Sequence, residues 1–358
     1  MSRAALSGRL GLSPASLTRL AKPFLDLGYF VEREEPAQGV GRPARPLDVS
    51  DDIGRFLGVK VTQNALFAVL TDVRIRPLAE VALPLDDPTP DAVVAGVLDA
   101  RRRLLEQSGE SRPVGIGVSL GGQIESGTVL WAQHLGWENV PLGSLFAQAT
   151  RTPVVLENDV IALAEAERWF GVGKDVPGTG FAVLTIGAGV GFALVANGRV
   201  VREKDAGLGT AMHIPLIPDG AECPLGHRGC AFGVLADRLI AQRASEALGR
   251  EVSYDEVLHL ATEGESHARA IVDEAADALG QLIATAANLS QLPTTVLGGE
   301  GIGLFHVAEQ RVRDAIARYR DPRATEVPLL IDDSGSAAWS RGAAAVAVQA
   351  GFASLRLT

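Results

Sequence analysis

Apolar residues recur at helical spacing in the first turns of the chain and later give way to short unbroken runs. In Ala4-Ala5-Leu6-Ser7-Gly8-Arg9-Leu10 they fall at helical spacing. Gly11 stops that helix, and Ser13-Pro14 restarts one as N-cap and first helical residue. The second helix sets Ser16, Thr18, Arg19 and Lys22 among apolar Leu17, Leu20 and Ala21, so one face can pack while the other carries donors. Pro23 is expected to kink its end. After Gly28, Tyr29-Phe30-Val31-Glu32-Arg33 reads as a short strand, followed by a Gly/Pro-rich loop ending in Gly41-Arg42-Pro43-Ala44-Arg45-Pro46.

From Phe56 the pattern becomes strand-like. Residues 56–59, 66–70 and 79–83 predict a three-stranded meander with a turn at Asp72 to Arg74, then a helix over 90–107 and a buried strand at 114–118. The grammar returns later, with runs at 181–186 and 191–195, a helix over about 267–289 and a strand at 295–297. A pattern that occurs twice predicts two similar α/β lobes, with a ligand cleft between them.

The formal charge of −10 excludes a surface that binds nucleic acid everywhere, but residues 1–50 hold seven Lys/Arg against five Asp/Glu, so the head alone is basic. Two cysteines are too few for a disulfide framework, no apolar run reaches the roughly 18 residues that span a bilayer, and the N-terminus has no signal pattern. The expectation is a cytoplasmic protein without membrane contact. Helix, glycine turn, helix, then a short strand and a loop is a winged helix-turn-helix pattern. Ser16, Thr18, Arg19 and Lys22 would face a major groove, and Arg42 and Arg45 in the wing a minor groove. Taken alone, Gly41-Arg42-Pro43 reads equally as an interdomain linker; following a helix-turn-helix it favours DNA.

Glycine-rich turns follow three apolar strands: Val118-Ser119-Leu120-Gly121-Gly122, Ile186-Gly187-Ala188-Gly189-Val190-Gly191 and Leu297-Gly298-Gly299-Glu300-Gly301. Each alone is an ordinary tight turn. With Gly117-Val118-Ser119, His134-Leu135-Gly136-Trp137, Glu157-Asn158-Asp159 and the cysteine segment 223–230, the chain resembles the ROK family of repressors, open reading frames and sugar kinases over essentially its whole length. The resemblance implies a two-lobed actin-like ATPase (ribonuclease H-like) body behind an N-terminal winged helix-turn-helix domain. The divisions expected are 1–50 for the head, 51–165 for the first lobe and 166–358 for the second, the last helix packing back on the first lobe. In the family's enzymes the aspartate matching Asp159 is the base for a sugar hydroxyl, and the asparagine matching Asn158 binds the sugar.

Departures from the family pattern carry the functional expectation. Where family kinases hold an Asp-x-Gly-x-Thr phosphate loop, this chain has Lys60-Val61-Thr62-Gln63-Asn64. Phosphoryl transfer depends on positioning and charge stabilisation, and a lysine cannot hold magnesium, so no enzyme activity, ATP or magnesium is expected. The family's Glu-x-Gly-His corresponds to Thr210-Ala211-Met212-His213 and its Gly-Cys-x-Glu to Gly229-Cys230-Ala231-Phe232. Loss of both sugar-binding glutamates points to a modified sugar or another small molecule, with His134, Asn158, Asp159, Thr210, His213 and Phe232 lining the site. The family's zinc loop keeps His213, Cys223 and Cys230 but has Leu225 for its middle cysteine; His227 is a substitute ligand if the loop bends, and a metal-free loop stands equally beside that reading. Trp131, Trp137 and Trp169 read as packing residues, and Arg101-Arg102-Arg103 as a solvated helix face.

The function expected is a transcription regulator, a homodimer or homotetramer on an operator, whose kinase-like body senses an effector. The alternatives are a ROK sugar kinase with an unusual phosphate loop and an interaction protein that has lost DNA binding. Winged heads of this kind have a further helix before the one holding Leu6 and Leu10, so either the true start lies upstream or the head leans on a partner subunit or the body.

Overall fold

The computed structural model describes residues 1–33, 46–176 and 180–353. Helix α1 (Arg3–Leu10) starts where the Ser2 hydroxyl accepts the Ala5 amide and ends at Gly11, whose φ of 63° makes the left-handed cap that glycine favours. Helix α2 (Pro14–Asp26) starts at Ser13, whose hydroxyl accepts the Ser16 amide at 3.1 Å. Its packing face is narrower than the apolar pattern implies. Leu17 and Ala21, one turn apart, are buried, but Leu20 is 50% exposed, because it lies beside that stripe rather than in it. The helix continues past Pro23 to Asp26. Strands β1 (Phe30–Glu32) and β2 (Leu47–Val49) pair antiparallel, and the Met1 backbone exchanges hydrogen bonds with Leu47 alongside. Arg42 and Arg45 lie outside the described residues.

The body follows in two passes. The first comprises β3 (Phe56–Val61), β4 (Ala65–Thr71), β5 (Pro77–Pro84), α3 (Pro90–Ser108), β6 (Gly115–Leu120), β7 (Gln123–Glu125), β8 (Thr128–Ala132), β9 (Trp137–Val140), α4 (Leu142–Ala149), β10 (Val154–Asn158) and α5 (Asp159–Trp169). The second comprises β11 (Gly180–Ile186), β12 (Val190–Ala196), β13 (Arg199–Val200), α6 (Ala231–Leu235), α7 (Asp237–Leu248), α8 (Tyr254–Thr262), α9 (Ser266–Ser290), β14 (Thr294–Gly298), α10 (Gly303–Arg318), β15 (Leu329–Ile331) and α11 (Ser336–Ala353).

Two five-stranded sheets share one topology. The first runs β5-β4-β3-β6-β10 and the second β13-β12-β11-β14-β15, each an antiparallel meander extended by two parallel strands. Every residue of β3, β6, β11 and β14 is buried, as the unbroken apolar runs require of strands covered on both faces. The small sheet β7-β8-β9 and helices α4 and α6 are too short for periodicity to announce them.

Two helices lie between the sheets, each covering one. Helix α5 packs Ile161, Leu163 and Ala164 on Val183 and Val296 of the second sheet, while α11 lies along β3 and β6 of the first. The latter approach depends on glycine. A Cβ at Gly58 would stand 2.0 Å from the Ser340 carbonyl oxygen, and one at Gly117 1.9 Å from that of Ala343. Where α5 and α11 cross, Gly342 lies against the backbone of Ala162. No helix among the described residues is long and apolar enough to cross a membrane.

Candidate functional site

The carboxyl ends of β3 and β10 bring Lys60 and Asp159 together. Lys60 is the fifth residue of a fully buried strand and Asp159 the first of α5, so their meeting is set by the parallel β3-β6-β10 register. The Lys60 ammonium forms an ion pair with Asp159 Oδ2, the two side chains only 10% and 13% exposed, and lies 4.9 Å from the centre of the Trp339 ring on α11. Gly121, in the first glycine turn, lies close to the Asp159 carboxylate: a Cβ there would sit 3.4 Å from Oδ2.

His134 faces the same groups from the turn before β9. The protein mass around it holds its pKa below the ordinary value; Asp159 favours the imidazolium, while Arg238 and Lys60 disfavour it. Arg238, in the first turn of α7, stacks over Phe232 at 5.6 Å, and Phe232 lies against the Gly189 turn. Around the Lys60–Asp159 pair the fold thus gathers an imidazole and a guanidinium, the latter over an aromatic ring that is itself only 5% exposed.

Asn158 serves the scaffold. Its Oδ1 accepts the amides of Val160 and Ile161, capping α5, and its Nδ2 donates to the Gly122 carbonyl at 3.1 Å. The side chain expected from the sequence to meet a ligand thus also caps α5 and braces the Gly122 turn. Behind it a cavity of about 670 Å³ opens between β7 and β10 on one side and residues 202–206 on the other. Arg202 bridges Glu157 at 3.0 Å and Glu165 at 2.8 Å, tying β10 and α5 to the second lobe. In the second lobe the two glycine turns lean on each other: the Gly301 amide donates to the Ile186 carbonyl at 2.8 Å, and the Glu300 carboxylate stands beside Gly187.

Thr210 and His213 share a short 3-10 turn. Thr210 is exposed, and His213 turns its Nδ1 towards the cysteine loop, 3.8 Å from Cys223 Sγ and 4.0 Å from Cys230 Sγ. His227 Nδ1 comes within 3.6 Å of Cys223 Sγ and 3.1 Å of His213 Nδ1. Around a tetrahedral zinc, bond lengths of about 2.0 Å to nitrogen and 2.3 Å to sulfur imply nitrogen–nitrogen edges of about 3.3 Å and nitrogen–sulfur edges of about 3.5 Å. The ligand atoms of His213, Cys223 and Cys230 all lie within 4.8 Å of one another, with His227 beside Cys223 and His213, while Leu225 is 56% exposed. Gly229, with φ 61° and the Ile217 carbonyl 1.7 Å from where its Cβ would be, closes the loop. Burial lowers the His213 pKa, with His227 adding to it, and burial raises that of Cys230. Both cysteines are unbridged and buried.

Three comparisons place this geometry. A family model described as "ROK family" matches residues 57–350. The chain belongs to the ROK family. It is 25% identical over 313 residues to the DNA-binding transcriptional dual regulator NagC of Escherichia coli K12, covering 84% of this chain and 77% of that one. Among solved structures, it resembles a ROK family transcriptional regulator described as a homologue of the E. coli MLC protein, with a TM-score of 0.83, 25% identity and coverage of 98% of this chain and 92% of that one. A ROK hexokinase from Thermus thermophilus matches with a TM-score of 0.71 and 27% identity, over 83% of this chain and 99% of that one. The regulator thus takes in more of this chain than the kinase does, and the ROK match starts only after β2.

In the N-terminal segment, Thr18, Arg19 and Lys22 are exposed along one side of α2, away from Leu17 and Ala21. Thr18 donates to the Pro14 carbonyl, Lys22 pairs with Asp26 at 2.8 Å, and half-buried Ser16 accepts a hydrogen bond from Ser13 at 2.9 Å. Of the three tryptophans read as packing residues, only Trp137 is buried, donating to the Pro88 carbonyl; Trp131 and Trp169 are 37% and 52% exposed, the latter beneath the Arg168 guanidinium. The sequence reading missed Arg238 and Trp339. Neither lies in a motif, and only the fold carries them to Lys60 and Phe232.

Proposed function

We propose that this chain is a DNA-binding transcriptional regulator of the ROK type whose body senses a small molecule and does not phosphorylate it. The observation that carries this reading is the Lys60–Asp159 ion pair. The ammonium occupies the carboxylate oxygen that would receive a hydroxyl proton, at the strand end where family kinases place an acid for metal and phosphates. Glu300, beside the Gly187 turn, sets a second negative charge where backbone amides would have to receive phosphate. The hexokinase-like body supports a sugar-related effector, held by Asp159, Lys60, His134 and Arg238 against Phe232. The exposed side of α2 reads a half-site, and a homodimer reads two.

Zinc, held by His213, Cys223, His227 and Cys230, would supply a closed four-ligand cross-link that fixes the loop from which Phe232 enters the cleft. Metal analysis of the purified chain should find about one equivalent, lost on Cys223→Ser; less than about a tenth of an equivalent would refute it.

Selection of genomic DNA fragments on the full chain, with and without N-acetylglucosamine and common hexoses, tests the main reading. Recovery of a two-fold symmetric site is expected, its retention changed by one of the sugars. Retention of no fragment would overturn the regulator, and ATP-dependent sugar phosphorylation abolished by Asp159→Ala would overturn the sensor in favour of a kinase.

A further inference from the structure

A charged cluster between head and body takes no part in the cleft or the cysteine loop. It gathers around the turn joining β4 to β5. Buried Asp72 ties that turn, its Oδ1 accepting the amides of Arg74 and Arg76 at 2.9 Å each. Between them Ile75 is 1% exposed with φ 52°. A β-branched side chain is disfavoured at positive φ, so the packing around it must hold it there. That packing is one apolar cluster: Phe56, Val69 and Val73 beside Ile75, Ala166 of α5, and the α11 segment around Ala344 and Val348, with Val49 of β2 and Ile53 laid against it.

On the outer side of the turn, the Arg74 guanidinium donates to the Asp48 carboxylate at 2.7 Å, to the Val49 carbonyl at 2.8 Å and to the Asp51 carboxylate. Arg33, next to β1, takes the other oxygen of Asp48 at 2.5 Å, and Arg76 takes Asp51 at 2.9 Å. Burial would raise the Asp48 pKa, but the Arg74 hydrogen bond and its charge hold it below the usual carboxylate value. A planar fork that engages two carboxylates and a carbonyl fixes direction as well as distance, which an ammonium cannot do.

We infer that Arg74 is a positioning residue: it fixes the β1–β2 hairpin to the crossing of α5 and α11, so that rotation of one lobe against the other carries the hairpin with it. Each of those helices covers one sheet, so their crossing is where relative motion of the lobes must be absorbed. A head joined only by a flexible linker would not sense that motion. With Arg74 in place, hairpin, turn and crossing share one buried cluster. For DNA reading this rests on the regulator role proposed above; the clamp itself can be measured without DNA.

The experiment uses the full chain with nitroxides on Leu27→Cys in the head and Leu289→Cys in the second lobe, both exposed in the parent. Pulsed dipolar spectroscopy should give one narrow distance distribution for the parent, a broad one for Arg74→Ala and an intermediate width for Arg74→Lys. Unchanged thermal melting of the body shows that the variants fold; the Lys variant decides the matter if the Ala variant does not. A distribution as narrow in both variants as in the parent would overturn the clamp. In parallel, Arg74→Ala without labels should bind the genomic fragments selected by the parent about tenfold more weakly. A broadened distribution with unchanged DNA affinity would overturn the link to DNA reading, whereas a parent that retains no DNA counts against the regulator role alone.

Discussion

The two sheets share strand order and direction but differ in what covers their inner faces and in how their first turns close. The first meets its helix through Gly58 and Gly117, backbone against backbone; the second meets α5 through Val183 and Val296. The β3–β4 turn is closed by a side chain, the Thr62 hydroxyl bonding both the amide and the carbonyl of Ala65, whereas the β11–β12 turn, Gly187-Ala188-Gly189, is closed by backbone, the Gly187 amide donating to the Gly189 carbonyl at 3.0 Å. A repeated frame thus tolerates opposite local chemistry, because strand pairing is fixed by the apolar runs while turns and contact faces vary independently.

Breaking the tie between the first sheet and α5 should cost most. Lys60→Met leaves Asp159 in a largely buried site without its cation, a loss of about 3–5 kcal/mol, while Lys60→Met with Asp159→Leu should recover most of it. Urea unfolding midpoints check both, and a single variant as stable as the parent would refute the tie. The contrast between faces is sharpened next by adding one methyl group. Gly117→Ala puts a Cβ into the Ala343 carbonyl and should destabilise by about 3 kcal/mol, whereas Val296→Ala in the second sheet should lose about 2 kcal/mol by leaving a cavity. Equal midpoints for Gly117→Ala and the parent would show that α11 does not need the glycine.

The smallest effect concerns the far end of α5. Burial, with the nearby Asp332 adding to it, raises the Glu167 carboxyl from its ordinary 4.5 to about 7. The folded state therefore holds this proton more tightly than the unfolded chain. The stability it contributes is present below about pH 4.5 and is lost as pH rises through about 7, by about 2 kcal/mol between about pH 5 and pH 7. Glu167→Gln should flatten that part of the profile; a variant with the same pH dependence as the parent would refute the assignment.

The strands, the long helices and the caps at Gly11 and Ser13 were legible because each depends on residues within a few positions. The sequence also pointed to Asp159, His134 and Phe232 together with the replacement at Lys60, since these lie in or beside recognisable segments. It did not show that the Asn158 side chain closes the α5 cap and the Gly122 turn, and it misread Leu20, which the apolar pattern assigned to a packed face. Arg238, Trp339 and Arg74 went unremarked. A lone arginine or tryptophan outside a motif carries no local signal, and its role follows from what is docked against it.

By itself, then, the sequence determined which segments are strands or helices and that the pattern occurs twice. Only the tertiary structure decided that Lys60 pairs with a carboxylate 99 residues away, that His227 turns towards the cysteines while Leu225 faces solvent, and that β2 rests on the crossing of α5 and α11. The physical reason is one of range. Periodicity and capping are fixed by neighbouring residues, whereas these contacts depend on how finished elements dock, and the docking depends on space that only glycine or a small side chain leaves open.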